Sequence, residues 1–149
     1  MTKSFKKTYK SLCYCTNMRR SAKAISDIYN NALKKADMTV AQYYILINLE
    51  RMGRSNITHW AERVGLDRST MIRNIKLLQS KDWIDEAEGH GKQFELSEKG
   101  RKNLSEAKII WENTQREIER LIGKESAEAI ININDKIMEA AEKILGGKA

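Results

Sequence analysis

Apolar positions recur at spacings of three and four along most of the chain. Ala22, Ile25, Ile28, Tyr29, Ala32 and Leu33 form one such stripe and predict a long helix over residues 8–35. Asp37-Met38 breaks it. Thr39-Val40-Ala41-Gln42 then has the spacing of a capping box, in which the Thr39 hydroxyl accepts from the Gln42 amide and the Gln42 side chain reaches back. Met38 and Tyr43 stand where a hydrophobic staple needs them. A second helix follows from Val40 to about Met52, with Gly53 to end it. Ile57, Trp60, Ala61 and Val64 make one apolar stripe on a short helix stopped by Gly65. Asp67 is a good N-cap for the next helix, Arg68 to Ser80. Its inner side is Met71, Ile72, Ile75, Leu78 and Gln79; its outer side is Ser69, Thr70, Arg73, Asn74 and Lys76.

The period then changes. Trp83 to Ala87 and Gln93 to Leu96 are short and rich in strand formers, and Glu88-Gly89-His90-Gly91-Lys92 lies between them. This predicts a hairpin. Ser97 can cap a long helix, Glu98 to Ile122, ended by Gly123. A last helix covers about Ser126 to Leu145, closed by Gly146-Gly147. The fold class is mainly α with a small β-hairpin (α+β).

Composition supports this picture. The 149 residues are 41% hydrophobic and 32% charged, with no proline, where average usage gives about seven. Nothing therefore interrupts long helices, and the apolar content is enough for a core. The longest apolar run, Tyr43 to Ile47, is far shorter than the roughly 20 residues a membrane span needs. The N-terminus lacks the apolar stretch of a secretory signal. Its basic start, with the first acid at Asp27, also suits a transit peptide, but residues 19–49 already read as folded helix. Two cysteines make no disulfide framework, so a reducing, cytoplasmic setting is expected.

The net charge is +7 and is unevenly spread. Residues 1–35 carry nine bases against one acid, and Arg63, Arg68, Arg73, Lys76 and Lys81 face only Asp67 within their segment. A basic cluster of this kind is the footprint of a polyanion partner, although a solvated helix face has the same composition. Two helices joined by a short turn containing glycine form a helix-turn-helix, and a hairpin directly after makes it winged. The second helix of such a unit enters the major groove of double-stranded DNA by its first turns. Ser69 and Thr70 are short enough to let the backbone approach phosphates. Arg73 can pair bidentately with guanine, and Asn74 can read adenine or bond a phosphate. Arg68 and Lys76 suit the backbone, which positions without reading sequence.

These residues resemble the MarR family of transcriptional regulators. Ile28-Tyr29, Ala32-Leu33 and Met38-Thr39-x-x-Gln42-Tyr43-x-x-Leu46 match its first two helices. Ile57-Thr58-x-x-Ala61, Val64 to Thr70 with Arg73, and Leu96-Ser97-x-x-Gly100 match the segments that follow. The resemblance implies a winged helix-turn-helix at 36–100 between dimerisation helices at 1–35 and 101–149. It implies a two-fold homodimer, for which Ile130, Ile133, Ile137, Ala141 and Ile144 supply an apolar stripe. The two reading helices would lie about 34 Å apart on a pseudo-palindromic operator. Family members usually repress nearby genes and are released by a small ligand or by thiol oxidation. The family wing carries an arginine that enters the minor groove; here the tip has none, and His90 or Lys92 stands in for it.

The resemblance also marks Cys15, with Tyr29, as the position of a redox-reactive cysteine, although that branch's second tyrosine is Val40 here. Arg19, one turn on, can lower a thiol pKa. On a helix Cys13 and Cys15 point about 200° apart and cannot bridge each other. A small aromatic ligand is the other effector class, with Arg19, Tyr43, Tyr44, Trp60 and Trp111 as lining, or else as plain core. No metal set or cofactor is expected, and no catalytic arrangement is recognisable. The rival readings are a helical protein–protein adaptor and a non-specific chromosome-binding protein on the same scaffold.

Overall fold

A computed structural model describes residues 10–146; the basic start of the chain and Gly147 lie outside them. The order is α1 (Tyr14–Leu33), a 3-10 turn (Lys34–Ala36), α2 (Val40–Met52), β1 (Arg54–Asn56), α3 (Ile57–Val64), α4 (Arg68–Ser80), β2 (Ile84–Ala87), β3 (Gln93–Leu96), α5 (Glu98–Ile122) and α6 (Lys124–Gly146). The chain divides into two compact units between Lys108 and Ile109, within α5.

In the first unit the expected caps form. Thr39 Oγ1 accepts from the Gln42 amide at 3.2 Å, and Gln42 Oε1 accepts from the Thr39 amide at 2.9 Å. Asn30 Oδ1 accepts from the Val40 amide at 2.8 Å, so α1 satisfies one further orphan donor at the start of α2. Asp37 takes a left-handed conformation at φ 51° and reverses the chain between the two helices. Helix α1 starts at Tyr14 rather than residue 8, with Cys13 extended before it. Residues 10–12 are not helical, and residues 8 and 9 of the expected helix lie outside the described residues.

The sheet has the order β1-β3-β2, both pairings antiparallel. Strand β1 is an addition to the expected hairpin: Arg54, Ser55 and Asn56 lie opposite Glu95, Phe94 and Gln93. The hairpin itself pairs Ile84 with Leu96 and Ala87 with Gln93. Trp83 falls outside β2. Its amide closes the end of α4 on the Leu78 carbonyl at 3.1 Å, and its own carbonyl accepts from the Ser97 amide at 3.0 Å.

The core joins these elements. Leu33, Leu46, Leu49, Met71, Leu78 and Leu104 are fully buried. Trp60 is also fully buried. Its indole N–H donates to the Ile45 carbonyl at 3.0 Å, and its ring lies 6.2 Å from that of Phe94. One side chain thereby ties α2, α3 and β3 together. The first part of α5 is tied in by Asn103, whose amide donates to the Ala36 carbonyl at 2.8 Å, and by the Lys108–Glu50 ion pair.

The second unit contains the rest of α5 and all of α6. Gly123, at φ 86°, ends α5, and α6 begins at the next residue, two earlier than the pattern predicts. No residue of α6 is buried.

Candidate nucleic-acid interface

Helices α3 and α4 are joined by Gly65-Leu66-Asp67. Gly65 is left-handed, at φ 71° and ψ 30°, the conformation that lets a helix end and the chain turn within one residue. Asp67 is extended and caps α4: its Oδ1 accepts from the Thr70 amide at 2.8 Å. Met71, Ile75 and Leu78 anchor the inner face of α4 in the core, with Ile72 and Gln79 half-buried beside them. The opposite face presents Arg68, Ser69, Arg73 and Lys76 to solvent, with Thr70 and Asn74 half-buried at its edge.

Among the described residues the cations of α3 and α4, Arg63, Arg68, Arg73 and Lys76, take part in no ion pair. Arg63 donates to Asn48 Oδ1 at 3.3 Å and Arg68 donates to Thr58 Oγ1 at 3.0 Å, both neutral acceptors. Four exposed, uncompensated positive charges on α3 and α4 can attract and hold a polyanion.

Ser69 and Thr70 have partners that their spacing alone does not reveal. Both hydroxyls donate to the Asp67 carboxylate, at 2.7 and 2.6 Å. Their protons are therefore committed, and a phosphate oxygen, itself only an acceptor, gains no bond from either. Thr70 Oγ1 accepts in turn from Arg73 Nη2 at 3.1 Å. Asn74 folds back onto the helix, donating to the Thr70 carbonyl at 2.9 Å. The hydroxyls of Thr70 and Ser69, and then the Thr70 amide, hold the Asp67 carboxyl well below the usual carboxylate range.

The wing is differently charged. Lys92 is paired with Glu86 at 2.8 Å, and its ammonium lies 5.7 Å from the centre of the Phe94 ring. This Lys92 contact, with a smaller one from Gln79, lowers the Glu86 pKa. His90 is exposed at the tip. The wing does have a guanidinium, supplied by β1: Arg54 donates from Nε and Nη2 to Glu95 Oε2 at 3.2 and 2.8 Å, and from Nη1 to the Glu88 carbonyl at 3.1 Å. Arg54 was invisible in the sequence because only the β1–β3 pairing brings it to the hairpin.

The other expected site residues scatter. Cys13 and Cys15 are both exposed. Cys13 stands before α1 as its N-cap, so the opposed directions expected of two helical cysteines do not apply to this pair. Its thiol pKa is lowered, chiefly by the Thr16 hydroxyl and then the Thr16 amide. Cys15 and Tyr29 lie fourteen residues apart on α1, or about 21 Å along its axis, so one chain does not bring them together. Tyr29 is buried, and burial raises its pKa. Of the expected ligand residues, Trp60 is core with its N–H satisfied, Tyr43 is buried and Tyr44 half-exposed on α2, Arg19 is exposed on α1, and Trp111 belongs to the second unit. A hollow of about 290 Å³ in the first unit is lined by Asn30, Lys34, Asp37, Thr39, Gln42 and Lys81 among others, none of them an expected ligand residue. Among the described residues no helix is long and apolar enough to cross a membrane, and no cluster of three or more His, Cys, Asp or Glu is placed to hold a metal ion.

No family model matches the chain. Over 96 residues it is 33% identical to the HTH-type transcriptional regulator SarZ of Staphylococcus aureus, a match covering 62% of this chain and 64% of SarZ. The chain thus spans a little under two thirds of the length of the curated relatives it matches. Among solved structures it is similar to the M. tuberculosis transcriptional regulator MosR in complex with DNA, at 26% identity and a TM-score of 0.72, covering 86% of this chain and 98% of MosR. It shares its fold with the transcriptional repressor CouR bound to a 23-mer DNA duplex, at 18% identity and a TM-score of 0.78, covering 85% and 92% of the two chains. The cap, turn, exposed helix face and three-stranded wing form a winged helix-turn-helix, and in sequence and fold the chain is similar to DNA-binding transcriptional regulators.

Proposed function

We propose that the chain is a sequence-reading DNA-binding regulator of transcription. The observation that carries this is the outer face of α4, where Arg68, Arg73 and Lys76 stand exposed and, among the described residues, without ion pairs on a helix anchored by Met71, Ile75 and Leu78. Arg73 is the reader, with most of its guanidinium donors still open to guanine O6 and N7. Arg68 and Lys76 hold phosphates and set the register. The similar structure of MosR in complex with DNA supports the same reading, and CouR, which shares the fold, is also bound to a duplex. The test is binding to the region upstream of the chain's own gene and to a scrambled duplex near physiological salt. Preference for the native duplex by a factor of about a thousand, lost in Arg73→Ala, is the expected result. Equal, weak binding to both duplexes, unchanged in the variant, would sink it.

The finer reading is a homodimeric repressor. Support for the dimer comes from α6, whose Ile130, Ile133, Ile137 and Ile144 are 46, 48, 45 and 71% exposed within one chain. Release by a small ligand or by thiol oxidation at the N-terminus of α1 completes this reading; CouR has a solved structure bound to p-coumaroyl-CoA. The pairing of Lys92 with Glu86 favours one rival, a protein–protein adaptor, because it neutralises the wing's own cation. Under the DNA reading Lys92→Gln weakens duplex binding uniformly across sequences; under the adaptor reading it has no effect on any duplex.

A further inference from the structure

The proposed reader does not stand alone on its helix. Arg73 Nη2 donates to Thr70 Oγ1 at 3.1 Å, and Thr70 Oγ1 donates to Asp67 Oδ2 at 2.6 Å. Asp67 Oδ1 holds the Ser69 hydroxyl at 2.7 Å and the Thr70 amide at 2.8 Å. A helix cap needs only the last of these four bonds. Of the other three, two form a relay from carboxylate to Thr70 hydroxyl to Arg73 guanidinium on the exposed face, and the third holds Ser69 beside it.

We propose that Asp67 is a positioning residue for sequence readout: through Thr70 it holds the Arg73 guanidinium in its reading orientation. This rests on the DNA-binding reading above and goes beyond it in assigning Asp67 a role opposite in sign to that of its basic neighbours. A free arginine side chain loses rotamer freedom when it docks on a base. One tethered by a single N–H arrives with part of that ordering done and keeps the rest of its fork for guanine. The tether has an electrostatic cost. A carboxylate at the leading end of α4 repels the phosphates that this helix end would otherwise attract. Asp67 therefore lowers affinity for any duplex and raises the difference between the right duplex and the wrong one. The same bonds leave Ser69 and Thr70 with only lone pairs to offer. They can accept from the amino groups of adenine or cytosine, and they add nothing at phosphate.

The test uses the full chain and two variants. Asp67→Asn keeps a capping oxygen for the Thr70 amide, but its second position is an amide donor, so it cannot accept the Thr70 hydroxyl. Thr70→Val keeps the shape and the Asp67 charge and deletes the relay. The probes are the duplex that wild-type protein enriches from a random-sequence library and a scrambled version of it, measured over a salt series. Preference for the enriched duplex is expected to fall about tenfold in both variants. Affinity for the scrambled duplex should rise about two- to threefold in Asp67→Asn alone, the effect shrinking as salt is raised. Thermal midpoints of both variants, within a few degrees of wild type, exclude a folding defect as the cause. Unchanged preference in both variants makes Asp67 a cap only and overturns the assignment. A fall in Asp67→Asn without one in Thr70→Val overturns the path through Thr70. If wild-type protein enriches no sequence, the DNA-reading function fails, and this assignment with it. Wild-type enrichment with indifferent variants sinks only the inference.

Discussion

At the residue scale, side chains of ordinary type acquire their meaning from one or two neighbours. Gly100 sits in α5 where an added Cβ would lie 2.0 Å from the Trp83 carbonyl oxygen. Ser97 explains the closeness: its hydroxyl donates to the Asp82 carbonyl at 2.6 Å and accepts from the Gly100 amide at 2.9 Å, clamping the end of the wing onto the start of α5. The clash is with backbone, which cannot rotate away, so Gly100→Ala should destabilise the first unit by about 3 kcal/mol. Denaturant unfolding measures this; a loss below about 1 kcal/mol would mean the clamp yields freely. Asp67 gives a pH prediction. Its carboxyl pKa is depressed in the folded chain, so it adds stability above the unfolded carboxylate value of about 3.9, and that contribution disappears as pH falls. Melting of wild type and Asp67→Asn from about pH 5 downward should therefore show a small wild-type lead that closes in acid. A third residue-scale prediction concerns the thiols. The lowered pKa of Cys13 makes Cys13→Ser the variant that loses the faster phase of thiol labelling near neutral pH, and Cys15→Ser the one that keeps it. The reverse order would return Cys15 to first place.

At the scale of elements, the pattern of apolar and polar positions carried most of the fold. Helix α4 was legible to the residue, because its cap, its stripe and its basic face all agree. The Thr39–Gln42 box was legible for the same reason, since both of its bonds are local. Thr39→Ala should cost about 1 kcal/mol, read from the shift in thermal midpoint, because α2 then begins with an unsatisfied amide. Strand β1 was not legible. Arg54-Ser55-Asn56 has no strand formers, and what makes it a strand is pairing with residues 93–95, far along the chain. Missing that strand hid the wing's guanidinium as well. Trp60 shows the converse difficulty: an aromatic side chain at helical spacing serves a core or a pocket equally, and only the Ile45 carbonyl and the Phe94 ring decide for the core. The bounds of α4 were legible, yet the commitment of Ser69 and Thr70 to Asp67 was not, because residue spacing fixes which side chains are near and not which way a hydroxyl proton points.

At the scale of the whole molecule, the two units differ in how much they bury. The first unit closes its core within one chain, whereas α6 turns isoleucines to solvent along its length. An exposed apolar stripe of this kind is unstable in water unless another surface covers it. Ile133→Glu combined with Ile137→Glu should convert a dimer to monomers in sedimentation equilibrium, and should weaken operator binding by at least tenfold, since each monomer keeps only one half-site. Wild-type protein that sediments as a monomer at micromolar concentration would remove the dimer from the proposal while leaving α4 untouched.

The uninterrupted helices reflect a chain without proline, and this bears on how the protein regains its structure after denaturation. Slow refolding over tens of seconds in small proteins commonly comes from prolyl bonds waiting to isomerise. That clock is missing here. Any slow phase in refolding must come from another event, and with the α6 stripe open in the single chain the natural one is the meeting of two chains. Its rate should then double when protein concentration doubles, and a prolyl isomerase should leave it unchanged.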